Sequence, residues 1–232
     1  MARYPHVSRE PHPGSATALL VAGALTALGA SALFAWLAGE VVEGDVQRFD
    51  EAVLLWVAHH RSEAATVVFD GLSALGSRQV LLTLTIGAVV ALALARRRGM
   101  AIALAVATVG ASLLSTLFKL AFARARPDVA LRIVRAHGYS FPSGHTIDSV
   151  VFFTTIALLV GSHVQSGPLR TFLVLHAALV GMLVACSRVY LGVHYPSDVI
   201  AGGLVGVAWS FAVVLAEARW RHGPQGGWAA PR

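Results

Sequence analysis

Positive charge, imidazole and carboxylate recur in a fixed order along the second half of this chain. Lys119 is followed by Arg126-Pro127, then by Pro142-Ser143-Gly144-His145. Ser187-Arg188 comes next, with His194 and Asp198 behind it. Metal-free phosphoryl transfer needs charge to hold the phosphate, a nucleophile, an acid and a group that orients the nucleophile. Lys119, Arg126 and Arg188 supply fixed positive charge. Asp198 stands close enough to accept a hydrogen bond from one nitrogen of His194, which fixes the tautomer and leaves the other nitrogen free to attack. Ser143 occupies an N-cap position, and Gly144 lets an anion approach the backbone. The free N–H groups and the positive end of the helix dipole then face the phosphate.

Each fragment also has a plainer reading. A Lys and an Arg at a helix end serve as snorkelling anchors, Pro-Ser-Gly-His opens an ordinary capped helix, and a His-x-x-x-Asp pair holds a surface together. What joins the fragments is their setting, because charges gathered this deep in an apolar chain are costly without a use.

That setting is a membrane. Of 232 residues, 56% are hydrophobic and 13% charged, about half the charge of a soluble domain. Six apolar stretches approach the roughly 20 residues that cross a bilayer. They run from Ala16 to Ala38, Gln79 to Ala95, Met100 to Phe122, His145 to Val160, Thr171 to Leu191 and Pro196 to Ala216. The second is short and is extended by a start near Leu72. The first is longer than a signal-peptide core and is read as an uncleaved span. The expected fold is an all-α bundle of six membrane helices, one domain over 16–218 with flexible tails at 1–15 and 219–232.

The spacing predicts that Lys119 and Arg126, two turns apart, share one face of the third span, with Pro127 ending that helix. Between the first two spans, Asp45 to Arg61 carries Val46, Phe49, Val53, Trp56 and Val57 at helical spacing. It is either a helix lying in the membrane interface or a loop helix packed on the bundle. By parity, all the phosphate motifs fall on one face. Lys and Arg divide evenly between the faces, but setting aside the three proposed phosphate ligands leaves the motif face poorer. Arg96-Arg97-Arg98 sits tight against two spans on the other face. The positive-inside rule therefore turns the site outward, away from the cytoplasm.

The net charge of +6 does not signal nucleic acid, since the arginines lie at the ends of apolar runs or inside the phosphate set. Cys186 is the only cysteine, and the position six residues on is Gly192 rather than Arg, so a cysteine-phosphatase loop is excluded. Without an Asp-x-Asp or a His-Glu-x-x-His motif, no catalytic metal and no cofactor are expected.

With these motifs in view, the chain resembles the membrane-bound type 2 phosphatidic acid phosphatases, the lipid phosphate phosphatases. Their active site is shared with bacterial non-specific acid phosphatases and vanadium haloperoxidases. The resemblance covers about residues 16–218, with all three family motifs complete. It implies that His194 attacks phosphorus to form a phosphohistidine, that Asp198 orients it, and that His145 protonates the leaving oxygen and then activates water. It assigns Lys119, Arg126, Ser143, Gly144 and Arg188 to the phosphoryl oxygens. The implied substrate is a lipid phosphate or diphosphate within the membrane, such as undecaprenyl diphosphate, phosphatidylglycerol phosphate or phosphatidic acid. A lipid phosphotransferase would use the same intermediate. A transporter would need the cations but not a nucleophile, so the two histidines argue against it. The chain carries no signal of oligomeric state.

Asp148, one turn after His145, stands to tune that histidine, to contact a headgroup, or to make a structural hydrogen bond. Arg124, Asp128, Arg132, Arg135 and His137 belong to the outer loop, as headgroup selectors or as solvated residues. His59, His60, His163 and His176 have no ligand-like grouping and are read as structural.

Overall fold

The computed structural model describes residues 13–222, and every regular element among them is helical. In chain order these are α1 (Pro13–Glu43), α2 (Gln47–His59), α3 (Glu63–Leu75), α4 (Arg78–Leu94), α5 (Arg98–Phe122), α6 (Gly144–Gly161), α7 (Gly167–Tyr190) and α8 (Pro196–His222). A single 3-10 turn lies at Val129–Leu131. Helices α1, α5, α6, α7 and α8 are each long and apolar enough to cross a membrane, and α3 with α4 makes a sixth span bent by 45°. The expected six-span helical bundle is the observed one. Of the expected tails, residues 1–12 and 223–232 lie outside the described residues, while α1 already begins at Pro13 and α8 continues to His222.

Helix α6 is central, packed against α5, α7 and α8, and α1 closes the bundle along α8. The core joins Ala103, Leu104, Ala107 and Ala111 of α5 to Ile147, Val151 and Leu159 of α6. The alanines recur every fourth residue, so α5 presents a low ridge that lets its neighbours approach closely. Trp209 of α8 donates its indole N–H to the Ala107 carbonyl at 2.9 Å, which ties that polar atom off inside the bundle. Outside, Leu25, Leu28, Ile102, Val109 and Leu113 are exposed. A bilayer tolerates this, because lipid tails are as apolar as leucine and give no drive to bury it.

Three local differences from the sequence reading matter for the site. The second span is two helices, broken at Gly76-Ser77, where Ser77 caps α4 by accepting from the Val80 N–H. The first half of that pair, α3, begins at Glu63, well before the start near Leu72 expected for the span. It is capped by Ser62 and packs on α7. Helix α2 is packed on the bundle, one of the two readings left open for it. One face buries Asp50 and Leu54 against the bundle, while Phe49, Leu55 and Trp56 remain exposed.

The third difference is a correction. Helix α5 does not reach Arg126. It stops at Phe122, where Ala123 takes a left-handed conformation (φ 46°) and donates its N–H to the Lys119 carbonyl at 3.0 Å. The left-handed cap ends the helix before the restriction imposed by Pro127 is felt, so Lys119 and Arg126 do not share a helix face. Arg126 instead lies on the irregular segment beyond the cap.

Candidate active site

The motifs meet at one end of the bundle, where α5 and α7 finish and α6 and α8 begin. Lys119 occupies the last turn of α5. A Cβ on Gly144 would crowd Ser115 Oγ at 2.9 Å and touch Lys119 Nζ at 3.4 Å, so glycine leaves room beside the ammonium at the start of α6. Ser143 holds the N-cap position of α6 but makes no side-chain cap. Its hydroxyl instead accepts from Thr146 Oγ1 at 3.0 Å, and its N–H donates to the Asp198 carbonyl at 2.9 Å. The start of α6 is thereby pinned to the start of α8, while its first-turn N–H groups are not consumed by the capping side chain. His145 follows, within electrostatic range of Arg188, His194, Lys119 and Arg126.

Arg188, in the last turn of α7, is buried. Its Nη1 donates to the Ser73 hydroxyl on α3, and its buried Nε has no protein partner. An orphaned guanidinium N–H is expensive inside a protein, and an anion's oxygen would satisfy it.

Arg126 knits the outer loop to the same point. Its Nε donates to the Gly138 carbonyl at 3.0 Å, and its Nη1 donates to the Val193 carbonyl at 2.8 Å and to His194 Nε2 at 3.1 Å. The turn carrying His194 depends on Gly192 (φ 74°), where a Cβ would meet the Leu131 carbonyl oxygen at 2.0 Å.

His194 and Asp198 are both buried, with Nδ1 3.2 Å from Asp198 Oδ2. The carboxylate also accepts from the Tyr195 N–H at 3.0 Å. With the Nδ1 proton directed at Asp198, Nε2 keeps its lone pair toward Arg126. Burial lowers the His194 pKa to about 4, against the opposing pull of Asp198, and the charges of Arg126 and Arg188 add to the depression. The ring is therefore neutral at ordinary pH.

Sequence reasoning missed the support behind this pair. Arg124, placed above among outer-loop residues, is turned inward. Its Nη1 donates to Asp198 Oδ1 at 2.7 Å and to Ser197 Oγ at 2.7 Å. Its Nη2 donates to Asp50 Oδ2 at 2.8 Å and to Gln47 Oε1 at 3.1 Å. Its guanidinium also lies 4.3 Å from the Tyr195 ring centroid. Asp50, fully buried on α2, accepts further from the Ser197 N–H at 3.0 Å and from the Ser197 hydroxyl. A charged ladder thus runs from Asp50 through Arg124 and Asp198 to His194. The signal for it was an acid on the inward stripe of α2, four residues before Leu54, where only a paired charge survives. The other loop groups do less. Arg132 donates to the Pro127 carbonyl, and Asp128 accepts from the Ala130 N–H.

His59 and His60 each bond a carbonyl one turn back on α2, and His176 stacks on Phe172, all away from the cluster. Among the described residues no group of three or more His, Cys, Asp or Glu side chains is arranged to hold a metal.

Comparison with known proteins identifies the family of the chain. Residues 99–221, which contain every motif above, match the model of the PAP2 superfamily. The chain is 29% identical over 181 residues to phosphatidylglycerophosphatase B of Bacillus subtilis, covering 78% of this chain and 89% of that protein. It is 34% identical over 127 residues to the undecaprenyl-diphosphatase of Sulfolobus acidocaldarius, covering 53% of this chain and 57% of that one. The fold superposes on the crystal structure of a transmembrane PAP2-type phosphatidylglycerolphosphate phosphatase from Bacillus subtilis with a TM-score of 0.80. That match has 26% identity and covers 85% of this chain and 98% of the other.

Proposed function

The chain belongs to the PAP2 superfamily, and from that premise we propose that it is a membrane lipid phosphatase working through a phosphohistidine on His194, without a metal. The observation that carries the reading is the His194–Asp198 pair, whose free nitrogen faces Arg126 in a pocket shared with His145, Lys119 and Arg188.

The substrate phosphate takes the place of His194 Nε2 as the acceptor for Arg126, and its oxygens meet Lys119, Arg188 Nε and the first-turn N–H groups of α6. The three cations neutralise charge that a metal would otherwise meet. His194 Nε2 attacks phosphorus while the bond to the lipid oxygen breaks, and His145 delivers a proton to that oxygen. Asp198 stabilises the positive charge left on the ring. His145, now neutral, takes a proton from water as the water oxygen attacks the phosphohistidine. Inorganic phosphate leaves, and both histidines return to their starting state.

The lipid chains of such a substrate lie in the bilayer, and the exposed apolar surface around the bundle suits that position. The same reading puts the site on the extracytoplasmic face of the cell membrane, since Arg96-Arg97-Arg98 lies at the opposite end. Relatives that act on phosphatidylglycerophosphate and on undecaprenyl diphosphate support a substrate class of lipid phosphomonoesters and diphosphates. Purified protein in detergent, offered phosphatidylglycerol phosphate, phosphatidic acid and a polyprenyl diphosphate with EDTA present, is expected to release inorganic phosphate from at least one. Binding without release from any of them would overturn the reading.

A further inference from the structure

One buried carboxylate is left unused by this mechanism. Asp148 lies one turn after His145 on α6, and no protein group donates to its buried Oδ1. It lines an open cleft of 310 Å³ between α4, α5 and α6. The far walls are apolar, and Leu82, Val109 and Leu113 on its rim are exposed on the lipid-facing surface. The polar end holds Asp148, Arg78, Ser112 and Thr116. That end adjoins the phosphate pocket: Thr116 precedes Lys119 on α5 by about one turn, and Asp148 follows His145 by the same step on α6. Lys119 and Arg78 both lie within electrostatic range of the carboxylate.

An acceptor buried without a donor is destabilising, and in a membrane span it is more so. The Ser112 hydroxyl bonds the carboxylate, yet Oδ1 is left without a donor. The Thr116 and Thr108 hydroxyls donate back to their own helix. Arg78 and Lys119 flank Asp148, so the carboxylate adds little net repulsion to an anionic substrate while remaining able to accept a hydrogen bond. Asp148 and His145, three residues apart, share one face of α6, so a donor close to the scissile ester oxygen lies within reach of the carboxylate.

We propose that Asp148 and the cleft behind it form a leaving-group subsite, in which the carboxylate accepts a hydrogen bond from a hydroxyl on the carbon next to the scissile ester and the apolar walls receive the lipid chain. The assignment rests on the phosphatase reading above. It selects, within that class, lipid phosphates whose leaving alcohol carries a neighbouring hydroxyl, and it disfavours those lacking one.

The test uses a matched pair of substrates: phosphatidylglycerol phosphate and its analogue built on propanediol, which lacks only that hydroxyl. The native protein is expected to favour the hydroxylated substrate by about tenfold or more in kcat/KM, since a site built around a hydroxyl discriminates against its absence. Asp148→Ala should bring the ratio to near one by slowing the hydroxylated substrate alone. Asp148→Asn, which keeps an acceptor oxygen, should restore part of it. A melting temperature in detergent close to native reports that Asp148→Ala is folded. A ratio that survives Asp148→Ala, or an equal loss on both substrates, would overturn the subsite and leave the phosphatase reading standing. A native protein inactive on both would instead remove the parent reading, and the subsite with it.

Discussion

Lys119 is the only lysine among 18 basic Lys and Arg side chains, so this chain uses arginine wherever a general positive charge suffices. The contact at Gly144 gives a reason. The ammonium sits in a gap bounded by Ser115 and the start of α6, which a compact point charge fills and a planar guanidinium overfills. Lys119→Arg is therefore expected to lose about tenfold or more in kcat, the low end of what misplacing a transition-state charge costs because the charge itself is kept. Its yield in the membrane should match native. Turnover at the native rate would reduce the residue to an anchor. At the same scale, His194 must be neutral to attack, and burial holds its pKa near 4. Protonation removes the nucleophile only below that value. The limb of log kcat/KM that belongs to His194 should fall near pH 4, once substrate ionisation is accounted for. A limb near 6.5, the value of a free imidazole, would mean that the ring is solvated in the working protein.

Between elements, the charged ladder joins α2, the segment after α5, and α8. Removing one partner of a buried ion pair leaves an uncompensated charge and costs about 3–5 kcal/mol. Asp50→Asn and Arg124→Gln should each lower thermal stability in detergent. Because the two side chains bond directly, the double variant should lose less than the sum of the single changes, with coupling of about 0.5–3 kcal/mol. Strict additivity would show that α2 merely rests on the bundle. This is also where the sequence stops being legible. The motif residues were readable because polar and charged groups interrupt long apolar runs, and a helix start such as Pro142 to His145 announces itself locally. The span between Arg124 and Asp50 is 74 residues of chain, and no local spacing encodes such a contact. The same holds for Ser73, whose partner Arg188 lies on another helix. Pro127 drew the end of α5 too far along, because a left-handed alanine leaves no mark in residue type.

At the scale of the whole molecule, six spans were legible because lipid demands long apolar runs, whatever their neighbours. The broken second span blurred the count, since α3 mixes Glu63 and Asp70 with its apolar residues. Orientation gives a direct test. In a Cys186→Ser background, single cysteines at Val129, beside the site, and at Gln165, in the turn between α6 and α7, should differ on intact cells. An impermeant thiol reagent is expected to label Val129→Cys and spare Gln165→Cys. The reverse pattern would turn the site toward the cytoplasm.

The central claim is that the bundle brings His194 to phosphorus as a nucleophile. Brief exposure of the purified protein to a lipid phosphate carrying radiolabel in its terminal phosphoryl group, followed by rapid quenching, measures this directly. The expected product is protein-bound label that survives alkali and is lost in acid, present with EDTA, suppressed by vanadate and absent from His194→Ala. Label that persists in His194→Ala, or lipid hydrolysis that continues there at the native rate, would contradict the account.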